Sequence, residues 1–286
     1  MLAELKELWR FRELLFSMVQ RDLKIRYKNS FLGFFWSLLN PLLTTFVLTI
    51  VFQVLLGIEV RNYSAYILAA YLPFTFFQMS IMDSAQSILT NLQLIKKIYF
   101  PREILPLAAI LSNFVHLLLA LGVFFVFLLA IYIRDPRVIP FQWTTVYLPV
   151  LLSINFMLAA GIALIVSALN TFYEDVKYIV GMLLWMLFFL SPVMYFVENV
   201  YLAAAKRGDD LLLYHVYNLN PIAVLCTAYR KVLLAPPQEI VLGRESIPPL
   251  PMDWGQVAYA GVVSFAILVA GYHLFNRMKW RFVERP

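Results

Sequence analysis

The chain is short of charge. Of its 286 residues only 14% are Asp, Glu, Lys or Arg, where an ordinary soluble domain has roughly 25%. With 62% hydrophobic residues, a soluble globule is excluded. Cys226 is the sole cysteine, so no intrachain disulfide can form. His116, His215 and His273 are the only histidines and lie too far apart in sequence to suggest a metal-ligand set; each reads as a packed or interfacial side chain. No glycine is followed by lysine, which excludes a P-loop, so any nucleotide must be bound by another polypeptide. The N-terminus carries Glu4, Glu7 and Glu13 among its basic residues and lacks the apolar core and small-residue cleavage pattern of a signal peptide. It is expected to stay on the mature protein.

What the chain has instead is long apolar runs. About 20 such residues cross ~30 Å of hydrocarbon, and six runs qualify: about 34–56, 65–82, 104–133, 146–169, 179–196 and 254–275, none holding Asp, Glu, Lys or Arg. The expected fold is all-α: a polytopic membrane protein with six transmembrane helices, an N-terminal amphipathic interface helix, and short re-entrant or gate helices before the last span. A single transmembrane domain accounts for 1–286. Within it, 1–30 is the interface helix, 31–197 carries spans one to five, 198–253 is a gate region and loop, 254–275 is span six and 276–286 a basic tail.

At 100° per residue, Leu2, Leu5, Leu8, Trp9, Leu15, Phe16, Val19 and Leu23 share an arc of roughly 140°. The basic residues lie off it, so the helix is expected at the headgroups with its apolar face down. Arg21, Asp22, Lys24, Arg26 and Tyr27 belong to it, and Ser30 to Gly33 form a hinge into the first span. Pro41, Pro73 and Ser191-Pro192 mark places where spans kink or break. Asp83, Ser84, Gln86, Ser87, Thr90 and Asn91 read as a helix leaving the lipid, with Asp83 at the interface. In 198–253, the apolar stretches 211–217 and 222–234 are too short to cross, and an irregular loop with Pro236, Pro237, Pro248, Pro249 and Pro251 follows.

Six spans put both termini on one side. That side holds 15 Lys and Arg and the other holds eight, so both termini are expected in the cytoplasm. The net charge of +6 then suits anionic headgroups, and nucleic acid is not needed as a partner. Spans without charge leave no proton relay and no general acid and base inside the bilayer, which argues against an ion-coupled carrier and a membrane enzyme. Aromatic residues are plentiful, with 24 Phe, 16 Tyr and 6 Trp. Rings stack on the C–H faces of sugars, so an aromatic lining suits passage of a glycan without reading each unit. Trp36, Tyr71, Phe74, Phe77 and Tyr195 are the positions placed on such a path.

Three stretches together resemble one family. They are Arg21-Asp22-Leu23-Lys24 with Arg26-Tyr27, Ser30-x-Leu32-Gly33 and Trp36 through Pro41; Phe100-Pro101-Arg102-Glu103-Ile104-Leu105-Pro106; and Asn170 through Asp175 with Ser191-Pro192-Val193-x-Tyr195 and Asn220-Pro221. The chain resembles the permease subunits of type-2 ABC exporters, in the branch that exports polysaccharides such as O-antigen, capsule or teichoic acid. The resemblance implies a homodimer of permeases in the bacterial cytoplasmic membrane, with two copies of a separate ATPase that binds the ATP and Mg. It implies no catalytic or metal site and no cofactor in this chain. The connection after the second span becomes the ATPase-coupling segment, with Leu94, Lys96, Lys97, Tyr99, Pro101, Arg102 and Glu103, and Glu174 and Asp175 supply a second contact. The substrate implied is a glycan carried on a lipid. The Pro-rich stretch 236–251 is longer than this family leads one to expect. The competing expectations are a type-2 permease for a drug or small lipid, which shares the architecture, and an integral-membrane transferase acting on lipid-linked sugars, for which Glu174 and Asp175 would be the candidate carboxylates.

Overall fold

In the computed structural model the described residues are 2–27, 34–55, 57, 60, 62–135, 139–208, 211–236, 240–242 and 245–283. The helices are α1 (Leu2–Arg10), α2 (Arg12–Tyr27), α3 (Phe34–Thr49, continued as a π-helix over Ile50–Leu55), α4 (Tyr63–Thr90), α5 (Leu92–Lys97), α6 (Ile104–Arg134), α7 (Leu148–Phe172), α8 (Val176–Leu190), α9 (Val197–Arg207), α10 (Leu212–Tyr217), α11 (Pro221–Leu233) and α12 (Trp254–Met278). Short 3-10 turns precede α7 (Trp143–Tyr147) and follow α12 (Lys279–Val283). The expected hinge at Ser30 to Gly33 lies outside the described residues.

The chain is a helical, polytopic membrane protein. Among the described residues four helical segments are long and apolar enough to cross a membrane: Tyr63–Thr90, Ile104–Arg134, Trp143–Phe172 and Trp254–Phe282. Two shorter apolar helices, Leu39–Leu55 and Val176–Leu190, stand where the first and fifth spans were expected. The fifth stops early because Ser191 turns to extended backbone (φ −108, ψ 148) ahead of Pro192, a position where proline disfavours the helical conformation.

α4 carries most of the packing. It runs on as a helix past Asp83 to Thr90, as expected, and Ser84, Ala85, Ser87 and Ile88 there are buried against the neighbouring helices. Pro73 sits inside it, and the Pro73 carbonyl accepts from the fully buried Asn155 Nδ2 of α7 at 3.1 Å. α12 lies along α7 at backbone contact. A Cβ on Gly161 would stand 2.6 Å from the Leu268 amide nitrogen, and one on Gly271 would overlap the Gly161 carbonyl. Small residues permit this approach, and in lipid such close packing replaces the hydrophobic drive as the source of association.

The N-terminal segment expected as one amphipathic helix forms two, α1 and α2, which meet at Phe11. α2 buries Met18 and Val19 and packs Leu14, Leu15 and Leu23 with Leu8 and Phe11 against Ile104, Leu105 and Ala108 at the start of α6. Trp9 and Phe16, assigned to the same arc, are 70% and 65% exposed. An arc of roughly 140° is wider than the contact with one helix can cover, so its edges remain outside. The expected irregular loop after α11 contains a two-stranded antiparallel hairpin, β1 (Ile240–Leu242) and β2 (Glu245–Ile247), pairing Val241 with Ser246. α9 was not foreseen at all.

Candidate functional site

Two ends of the bundle are built differently. At one end α1, α2, the 91–103 connection, the end of α7 and the Lys279–Val283 turn share one apolar cluster, in which Ile95, Phe100, Ile104, Phe275 and Phe282 are buried. Phe282 packs edge-on to Phe275 at 5.5 Å and tilted against Phe172 at 5.7 Å between centroids. The chain's two termini, the 91–103 segment and the 170–178 turn therefore lie together. Asn170 fixes that turn: its Nδ2 donates to the Ala85 carbonyl at 2.7 Å and its Oδ1 accepts from the Lys177 amide at 3.0 Å.

Within 91–103 the side chains divide sharply. Lys96, Lys97, Ile98 and Tyr99 are exposed, with Tyr99 at 73%, while Leu94 and Pro101 are half-buried. The Tyr99 hydroxyl donates to Glu7 Oε1 at 3.2 Å. Glu103 turns inward, only 1% exposed, and its Oε1 meets Lys279 Nζ at 2.6 Å. Arg102 donates from Nη1 to the Lys279 carbonyl. Burial lowers the Arg102 pKa from its ordinary value, opposed by Glu103 and Tyr99. Glu103 and Arg102 thus hold the segment to the end of α12, and the exposed rim is Lys96 to Tyr99. Glu174 and Asp175 are exposed on the adjacent turn. In the N-terminal helix Arg21 donates from Nη1 to Asn91 Oδ1 at 2.9 Å and pairs with Asp22 at 3.0 Å, tying α2 to the start of α5. Lys24 is exposed; the side chains of Arg26, Tyr27 and Trp36 lie outside the described residues.

The other end is a plug around α11, which Asn220 caps by accepting from the Ile222 amide at 3.2 Å with Pro221 in its first turn. Arg230 is 5% exposed. Its guanidinium donates to three carbonyls, those of Tyr66 (2.8 Å), Tyr195 and Val193, and sits 5.1 Å from the Phe196 ring centre. A buried cation with each of its three nitrogens hydrogen-bonded to a backbone oxygen locks the α8–α9 connection to α4 and α11. Glu198 accepts from the Leu250 amide at 3.1 Å and lies 3.8 Å from Lys231, adding the Pro-rich loop. Tyr195 Oη is 3.0 Å from Tyr217 Oη and donates to the Phe189 carbonyl at 3.1 Å.

Of the ring positions placed on a path, Tyr195 is half-buried at this plug and Tyr71 is half-buried against Phe188, at 6.2 Å. Phe74 and Phe77 are core residues of the protomer, 0% and 2% exposed; they sit at helical spacing on the face that α4 turns to its neighbours, not on an open surface. Exposed apolar side chains occur on several helices: Met182, Trp185, Met186 and Phe189 on α8, Leu43, Phe46 and Val47 on α3, Val126, Leu129 and Ile133 on α6, and Val262 and Phe265 on α12. Sequence reasoning missed Arg230 and the Glu103 to Lys279 pair. An Arg230-Lys231 pair inside an otherwise largely apolar 13-residue stretch was the available signal for the first; nothing in sequence ties Glu103 to a residue 176 positions away.

A helical membrane bundle with one tightly strapped end, one plugged end and no nucleotide motif has the features of a transporter's membrane subunit. The chain belongs to the ABC-2 type transporter family, whose pattern matches residues 13–234. It is 32% identical over 232 residues to the O-antigen export system permease protein RfbA of Myxococcus xanthus, covering 81% of this chain and 84% of that one. It is 26% identical over 272 residues to the protein of the same description from Klebsiella pneumoniae, covering 95% and 94%. The chain is therefore a transporter membrane subunit and not itself an enzyme.

Proposed function

We propose that this chain is the membrane half of an ATP-driven exporter that moves a lipid-linked polysaccharide of the O-antigen type across the bacterial cytoplasmic membrane. The observation that carries the reading is the match, over nearly their full length, to relatives named as O-antigen export permeases. α3 and α8 act as the first and fifth of six spans, and the strapped end, where both termini lie, faces the cytoplasm. A second copy covers the exposed faces of α3 and α8, and two ATPase subunits, carrying ATP and Mg, dock on Lys96 to Tyr99 with Glu174 and Asp175 as a second contact. Arg102 and Glu103 work from inside, holding that rim to α12.

ATP-driven closure of the ATPases pushes on both coupling segments and moves the two permease halves as rigid bodies. The path opens between them, with Tyr71 and Tyr195 near it, Phe74 and Phe77 supporting its wall from behind, and the α9 to α11 plug as the outer gate. A deletion strain tests the reading. It should accumulate complete lipid-linked polysaccharide in the inner leaflet, and expression of the chain should restore export. A changed drug resistance with normal surface glycan would instead indicate a drug or small-lipid permease, and an incomplete glycan would indicate a transferase. Purification should bring down a P-loop ATPase.

A further inference from the structure

Between Ile67 and Met82, α4 is buried on every side but one. Only Tyr71, Thr75, Gln78, Met79 and Met82 in that stretch are not buried, and their spacings of three and four residues set them in one stripe along the helix. Gln78 stands 15 residues from the start of α4 and 12 from its end. At ~1.5 Å per residue that is ~22 and ~18 Å, near the middle of a hydrocarbon layer of ~30 Å. The Thr75 hydroxyl is used locally, donating to the Tyr71 carbonyl at 2.8 Å, whereas among the described residues the Gln78 amide has no hydrogen-bond partner. Other long helices turn apolar surface outward at that depth: Leu118, Leu119 and Val126 on α6, and Val262, Phe265 and Val269 on α12. A face that meets lipid tails looks like theirs. An amide has donors and an acceptor that hydrocarbon cannot satisfy, so the α4 stripe has another occupant.

The stripe is recessed. α8 runs beside it: Phe188 packs on Tyr71 and Phe74, at 6.2 and 5.3 Å between ring centroids, and a Cβ on Gly181 would lie 3.6 Å from Met82 Cε. Next to the half-buried Tyr71, Thr75 and Gln78, the α8 side chains Met182 and Trp185 project, 58% and 62% exposed. A second copy seated on α8 meets those projecting apolar groups and roofs the furrow without filling it. What fits beneath is a thin chain with hydroxyls to pair with an amide in either sense, and C–H faces to lie against Tyr71 and the Met79 and Met82 thioethers. We infer that the Tyr71 to Met82 stripe of α4 is the floor of the glycan path at mid-membrane, and that Gln78 is the side chain that exchanges hydrogen bonds with the passing hydroxyls. This rests on the export reading and adds to it the contact residue at the centre of the bilayer. A neutral amide holds a hydroxyl firmly enough to admit the chain and weakly enough to let it move on, as conduction through a path requires.

The test reconstitutes the permease with its ATPase partner in phosphatidylcholine vesicles and supplies radiolabelled lipid-linked polysaccharide from the producing cells. The photoreactive residue p-benzoylphenylalanine is placed at Met79, 43% exposed on the stripe, and for comparison at Val126, 64% exposed on α6. Irradiation during ATP turnover should attach label to the protein at position 79 and none at position 126. Gln78→Leu removes the amide at nearly unchanged volume. It should keep the wild-type melting temperature and lower the export rate about fivefold, the equivalent of one hydrogen bond, and Gln78→Asn, which keeps an amide on the floor, should recover most of that loss. Adducts at position 79 that join two permease chains and carry no label assign the stripe to the contact between copies and overturn the inference. A phosphatidylcholine adduct alone at that position, found by mass spectrometry, overturns it as well, and so does an unchanged export rate in Gln78→Leu. In each of these the wild type still exports glycan. A wild-type complex that hydrolyses ATP and exports none would sink the export reading itself, and the stripe assignment with it.

Discussion

Replacing Lys279 by Met tests whether the 91–103 segment, proposed to couple to the ATPase, is held to the end of α12 by charge. Glu103 is 1% exposed and forms an ion pair with Lys279 Nζ at 2.6 Å, with Arg102 as a further charge nearby. Its second oxygen has no hydrogen-bond partner among the described residues. Removing one partner of a buried ion pair costs about 3–5 kcal/mol because the other charge is stranded. Lys279 keeps 12% of its side chain exposed, so water reaches the site in part and about 2–3 kcal/mol is expected at this end. Replacing Glu103 by Gln at the same time removes the stranded charge. The double variant should then recover most of the loss, giving a coupling free energy of about 2 kcal/mol in a cycle of Lys279→Met, Glu103→Gln and both. Stability of the purified permease, followed by denaturation in detergent, is one readout. A second is the ratio of glycan exported to ATP hydrolysed, which should fall in Lys279→Met as the coupling rim loosens from the last helix. Single effects that add to within about 0.5 kcal/mol would refute the strap and leave Lys279 as a headgroup ligand.

Three further outcomes are expected. Gly161→Ala places a methyl 2.6 Å from the Leu268 backbone nitrogen; α7 and α12 must part, and size-exclusion chromatography should show largely lost folded protein, whereas Gly122→Ala, with nothing within 4 Å, should behave as wild type. Arg230→Lys should destabilise by about 3 kcal/mol, because an ammonium cannot reach carbonyls that a planar fork spans; full retention of melting temperature would show that the plug does not depend on it. Lys96→Glu with Lys97→Glu should abolish glycan-stimulated ATPase activity without moving the melting temperature, since both side chains are exposed. Wild-type stimulation in that double variant would remove these lysines from the docking surface.

Hydropathy alone located every apolar helix, because hydrocarbon thickness imposes a length and an absence of charge that are visible in one dimension. It placed α6 and the start of α12 to within a residue. It also marked the 91–103 stretch as the junction where charge returns. The sequence pattern read a helix running on past Asp83, but it could not say that Ser84 and Ser87 there are buried inside the bundle. Nor could it separate Phe74 and Phe77 from rings on an open face; phenylalanine is as stable in a protein core as against lipid tails.

The segment around Arg21, Lys96 and Arg102 shows the division most plainly. Charge and position along the chain marked it as the candidate to meet a partner outside the lipid. Only tertiary structure decided which charges face outward: Lys96 and Lys97 remain exposed, while Arg102 and Glu103 close on Lys279. The same holds for Arg21, whose partner Asn91 is 70 residues away. Composition is a property of the chain, but whether a charge is an anchor or a docking group depends on what distant residue folds against it.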